Sequence, residues 1–199
     1  MGRNSGSNRG TKDGGGDFKG KITNVGPLVE MTDPQMYKAT KQAISRYHAV
    51  LGVRQREVKL ADFPGAYGVH VTANGASKAV YLNRSHFNQG AKSVSRAHSD
   101  NYTSGWSTRT NKPIAHTVTH ELAHATWNEH LTGANQRAAG KEIRSLYRSW
   151  MRDKKKSGYG KYARTNVSEF WAETVTKAVH GKADKYTRRV KAICAKYKL

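Results

Sequence analysis

Apolar positions change period along this chain, and the changes divide it into elements. Tyr37, Ile44, Tyr47 and Leu51 recur at roughly helical spacing. Asp33 before Pro34 is a helix start, an N-capping side chain followed by proline in the first turn, and Gly52 fits the stop. The period then shortens to two. Val58 and Leu60 end one expected strand, residues 67–71 form a second, and Ala73-Asn74-Gly75-Ala76 is a hairpin signal leading into a third at 78–83. Residues 88–112 are rich in Ser, Asn, Gly and Arg and read as a long irregular connection, the kind that is functional or mobile. From Pro113 to about residue 130 a helix is expected, with Ile114, Val118, Leu122 and Ala125 near one inward face. A basic amphipathic helix follows at about 136–153 (Ile143, Leu146, Tyr147, Trp150), then a loop with Gly and Tyr, then helices near 166–180 and 183–196. Residues 1–20 have little to bury and read as a flexible basic tail, leaving 21–199 as the folded domain.

Composition narrows the class. With 199 residues and 36% hydrophobic residues, the chain suits one domain with a modest core under a very polar surface. No apolar run approaches the ~20 residues that cross a bilayer, so no membrane partner is expected. No secretory signal is visible, and the lone Cys194 can form neither an internal disulfide nor a cysteine metal cluster. These features suggest a cytoplasmic protein. The charge is lopsided: 35 Lys and Arg against 14 Asp and Glu, a formal net of +21. Such a field attracts polyanions, which makes nonspecific nucleic acid a candidate partner. No RNP motif, finger spacing or heptad array accompanies it, so sequence-specific readout is not expected.

His120-Glu121-Leu122-Ala123-His124 is an HExxH motif on an expected helix. Residues four apart stand one above the other on a helix face, about 6 Å apart in rise, so two imidazoles can converge on one zinc ion. Glu121 is turned about 100° round the axis, where a general base stands to take a proton from the attacking water. A catalytic zinc site takes three protein ligands and keeps one position open. His116 lies about 12 Å in rise from His124 and reads as a surface or supporting residue. His130 has the ten-residue spacing of the HExxHxxGxxH pattern, but Trp127 stands where that pattern needs glycine. A continuing helix carries His130 about 15 Å away. Glu169 is favoured: with Glu173 it forms an acidic pair beside Phe170 and Trp171 in an otherwise basic region, the gluzincin arrangement.

The segment from Tyr162 through Asn166 and Glu169 to Glu173 strongly resembles the corresponding stretch of the lethal factor-like zinc metallopeptidases, a family also found in bacteriophage head-associated proteins. The resemblance spans the HExxH helix and this segment, roughly residues 78–180. It implies that Glu169 is the third zinc ligand and that Tyr162 lines the site as a proton donor or oxyanion stabiliser. It also implies that Glu173 supports a zinc-bound histidine. A ligand imidazole usually donates its second N–H to a carboxylate, and a phenol can donate to an oxyanion.

The expected architecture is α+β, zincin-like: a small twisted sheet, the HExxH helix beneath it and a helical C-terminal half. The strand at 78–83 is expected to edge the cleft and take an extended peptide by strand addition, while His70 on its neighbour reads as a core or surface histidine. The expected function is hydrolysis of peptide bonds in a protein or peptide substrate, endopeptidase ahead of exopeptidase. An alternative is a basic nucleic-acid-associated or virion protein with a vestigial or structural zinc site. A secreted-type toxin peptidase ranks third, since no export signal is visible.

Overall fold

Helix α1 (Pro34–Leu51) begins and ends at the residues its sequence marks. The Asp33 carboxylate accepts from the backbone N–H groups of Gln35 and Met36, and Gly52 closes the helix at φ 66°, where glycine alone is unstrained. In this computed structural model the described residues are 20–73, 76–131, 137–154 and 158–199. The expected tail lies outside them but for Gly20, and the Asn74-Gly75 turn lies outside them too.

Four strands form one mixed sheet: β1 (Thr23–Gly26), β2 (Val58–Asp62), β3 (Gly68–Ala73) and β4 (Ala76–Asn83), in the order β1-β2-β4-β3. The β2–β4 pair is parallel and the other two pairs are antiparallel. The placement of 78–83 at the sheet edge is therefore overturned. Strand β4 is paired on both sides, and β3 is the edge strand next to the HExxH helix. Burial explains the order: Ala79, Val80 and Leu82 are almost fully buried on β4, whereas His70 and Val71 on β3 are half-buried. The long irregular connection is corrected as well. It holds helix α3 (Ala91–Thr103), preceded by the single turn α2 (Arg84–Phe87). Ser and Asn lower helix propensity across this stretch, but Ala91 and Val94 bury a narrow stripe and the Ala91 N–H donates to Asp33 Oδ2 at 2.7 Å. Tertiary anchoring wins.

Helix α4 (Pro113–Thr126) carries HExxH and runs into a π-helical turn at Trp127–Leu131. Helices α5 (Arg137–Arg152), α6 (Val167–His180) and α7 (Lys185–Tyr197) complete an α+β fold. Every residue of α4 except Pro113 and His124 is buried, so the helix is enclosed by α1, α6 and the sheet. Two buried aromatic residues pin it, one from α1 and one from α6. Tyr47 of α1 donates to the Leu122 carbonyl at 3.1 Å, and Trp171 Nε1 of α6 donates to the Ala123 carbonyl at 2.8 Å. Both carbonyls belong to the turn between His120 and His124. Among the described residues no helix is long and apolar enough to cross a membrane.

Candidate metal centre

Helix α6 faces α4, and its N-terminus sets Glu169. Asn166 caps α6 by accepting from the Glu169 N–H at 2.9 Å, which places Glu169 in the first turn. A glutamate three residues after such a cap usually reaches back to it. Here the carboxylate points at the two motif histidines instead: Glu169 Oε2 lies 3.1 Å from His120 Nε2 and 3.2 Å from His124 Nε2. The two Nε2 atoms are 3.0 Å apart. Three donors at these separations form one face of a tetrahedron whose centre is about 2 Å from each, the length of a zinc–imidazole bond. The three side chains fit a small divalent ion.

The remaining nitrogens support the same reading. His120 Nδ1 lies 3.0 Å from Glu173 Oε1, and His124 Nδ1 is 3.0 Å from Ser168 Oγ. Both His120 nitrogens face carboxylate oxygens; with an ion held at Nε2, the ring's one proton would sit on Nδ1, toward Glu173. Glu173 also meets His116 Nε2 at 3.2 Å, and His116 packs within 5.0 Å of His98, ring to ring. His116 is thus a buried supporting residue rather than a surface one. His116, His120 and Glu173 form a second group close enough to hold an ion. There Glu173 Oε1 lies between His116 Nε2 at 3.2 Å and His120 Nδ1 at 3.0 Å.

Charge bookkeeping is the strongest physical sign. Glu121, Glu169 and Glu173 are 7%, 1% and 1% exposed. The chain has 35 Lys and Arg, yet among the described residues none pairs with any of the three. Burial raises a carboxyl pKa, but the neighbouring histidines outweigh it and hold Glu169 and Glu173 well below the usual range. Burial opposes charge on His120, and the two glutamates override that and raise its pKa well above 6.5. Without an ion, a proton on His120 supplies the missing positive charge. Glu121 differs: burial dominates over the attraction of His120 and His124, and its pKa is raised.

The other residues take clear places. The buried Tyr162 ring stacks over His120, with centroids 5.6 Å apart and planes 17° apart, and its backbone N–H donates to the Trp106 carbonyl at 3.0 Å. A cavity of about 30 Å³, room for about two waters, adjoins Glu121, His120, Tyr162 and Glu173. His130 sits on the π-turn with Nε2 3.5 Å from Glu129 and belongs to neither ion-holding group. His70 is 3.3 Å from Asn128, and burial, aided by Arg56, lowers its pKa to about 4.

Ser168 and Gly68 were not legible beforehand. A Cβ built on Gly68 would overlap Glu121 Cγ and lie 2.9 Å from its Cδ. Gly68→Ala is therefore expected to displace Glu121 or the start of β3 and lower the melting temperature by about 2–10 °C. Thermal unfolding of the variant beside the parent checks this, and an unchanged melting temperature would mean that Glu121 does not pack against Gly68. No protein-family model, curated protein or solved structure matches the chain.

Proposed function

We propose that this chain is a zincin-like zinc peptidase of the lethal factor-like kind, with His120, His124 and Glu169 holding the metal. The observation that carries the reading is the meeting of three lone-pair donors, 3.0–3.2 Å apart, beside a buried glutamate that pairs with no Lys or Arg among the described residues. A divalent ion bound there supplies Lewis-acid polarisation of a peptide carbonyl and acidifies water.

The chain's own residues do the rest. The Glu121 carboxylate takes a proton from the attacking water and delivers it to the leaving amine nitrogen; its raised pKa suits a group that must do both. Tyr162 Oη donates a hydrogen bond to the oxyanion that develops on the carbonyl oxygen. Glu173 holds the Nδ1 proton of His120 and so fixes the tautomer and ring orientation. The free edge of β3 starts at Gly68, against Glu121, and offers backbone groups to an extended substrate.

The reading is tested by incubating the zinc-loaded protein with an unbiased peptide library and identifying products by mass spectrometry. Cleavage that stops with a chelator and returns with zinc is the expected result. Stoichiometric zinc with no cleaved peptide would instead favour the alternative of a nucleic-acid-associated protein with a structural ion. Tyr162→Phe is expected to lower kcat about 10–100-fold with little change in KM, since the hydroxyl acts only as oxyanion charge develops. A variant with unaltered kcat removes the phenol from the reaction.

A further inference from the structure

A second concave surface lies away from the metal centre. It is a groove of about 950 Å³ between α1, α3, the start of α4 and the end of α6. Among the described residues Arg46, Lys92, Lys112 and His180 line it, and no carboxylate does. Asp33 stands near one end, but its oxygens are taken by the N–H groups of Gln35, Met36 and Ala91. Among the described residues no Asp or Glu pairs with Arg46, Lys92 or Lys112, while Glu30, Glu57, Asp62, Glu129, Glu142, Asp153 and Asp184 are all engaged with cations elsewhere. Among the described acids only Asp33 borders the groove, Asp100 on α3 forms no ion pair, and the others are held elsewhere, so the lining itself is positive.

Two further observations concern the occupant. The N-terminus of α4 opens into the groove at Lys112 and Pro113, and no side chain caps it. Its peptide dipoles add partial positive charge beside the lysines. The rest of the described lining is Gln35, Gln42, Ser45, Ser95, Asn111, Pro113 and apolar residues, with no Phe, Tyr or Trp among the described residues. Amide and hydroxyl side chains beside Lys and Arg make the contacts proteins use for phosphate and sugar. Without an aromatic platform there is nothing to stack a base, so sequence and strandedness go unread.

We propose that this groove binds the phosphodiester backbone of nucleic acid without regard to sequence. A nucleic-acid strand fits the site better than an acidic peptide, because duplex DNA carries one charge per about 1.7 Å of axis and a chain of +21 is steered to it over a long range. Burial keeps His180 neutral, near 4, and the positive field of Arg46 and Lys112 adds to that effect. Polar contact with the strand falls to the other three cations. The site is independent of the peptidase reading and stands or falls separately.

The test is fluorescence anisotropy of the full chain with a labelled 24-base-pair duplex across a salt series. The triple variant Arg46→Gln, Lys92→Gln, Lys112→Gln is compared with a control triple, Arg148→Gln, Arg188→Gln, Lys191→Gln, which loses the same charge from exposed positions on α5 and α7. The groove variant is expected to bind at least about tenfold more weakly, with a log–log salt slope shallower by about 2–3, and the control to change less than about threefold. Arg46 also donates to the Val179 carbonyl, so Lys92→Gln with Lys112→Gln serves as a second variant that removes no side-chain hydrogen bond or ion pair among the described residues, expected to weaken binding about fivefold. Equal losses in the groove and control variants would overturn the proposal. So would no binding by the parent chain at low salt, or equally tight binding of polyglutamate.

Discussion

Glu121→Gln is expected to lower kcat on any verified peptide substrate by about 10³-fold while the variant keeps its zinc and its melting temperature. Glutamine matches the volume of glutamate and preserves the packing against Gly68, so the geometry of His120 and His124 is not disturbed. What is lost is the capacity to accept and return a proton. Burial already resists ionisation of Glu121, so a neutral amide of the same shape costs the fold little. An effect on kcat with metal content unchanged separates a proton-transferring group from a ligand, because loss of a ligand lowers both. Metal analysis and turnover on the same preparation decide it. Parent-like turnover would exclude Glu121 as the base and with it the proposed mechanism.

The sequence made the site legible where its chemistry is local. HExxH needs only a helix to bring two imidazoles to one face, and Pro113 and the apolar stripe ending at Ala125 announce that helix. Helix α1 was equally clear, because Asp33-Pro34 and Gly52 act within one turn of themselves. Less was visible wherever a residue depends on a neighbour distant in sequence. Strand β1 pairs with β2 across more than thirty residues and has only four residues of its own, too few to show a period. Helix α3 is held by Asp33, nearly sixty residues away, and its Ser- and Asn-rich sequence points elsewhere. The edge of the sheet depends on strand order, which alternation alone does not encode. Glu169 is instructive in another way. The Asn166-to-Glu169 spacing is that of a capping box, a purely structural device, and only the position of α4 shows that the carboxylate serves the histidines. Ser168 and Gly68 act through atoms of other elements and leave no signal in their own neighbourhood.

Removing the ion is expected to lower the melting temperature by about 10 °C at neutral pH, and by more as the pH rises. An ion present at 1,000 times its Kd contributes about 4 kcal/mol, and a chain of this size shifts about 2–4 °C for each kcal/mol. The pH dependence follows from the groups that replace the ion. The raised pKa of His120 means that its contribution to the ion-free protein is complete below its ordinary 6.5 and is lost as pH rises through the raised value. Glu169 and Glu173 are lowered, so their contributions are complete above the ordinary 4.5 and are lost only as pH falls through the lowered values. The ion-free protein is therefore most secure between about 4.5 and 6.5 as far as this cluster is concerned. It weakens on the alkaline side, where the proton on His120 leaves three buried carboxylates without a cation. The ion-loaded protein is spared this loss, because the ion displaces that proton and binds more tightly as protons become scarce. His86 and His180, which burial holds near 4, destabilise both forms alike as pH falls from 6.5, so they cancel in the difference. Thermal unfolding of zinc-loaded and chelated protein at pH 6, 7.5 and 9 measures the gap directly. Glu169→Ala should abolish it at every pH; a gap that stays constant or narrows with rising pH would mean that the cation and the His120 proton do not compete for the same cluster.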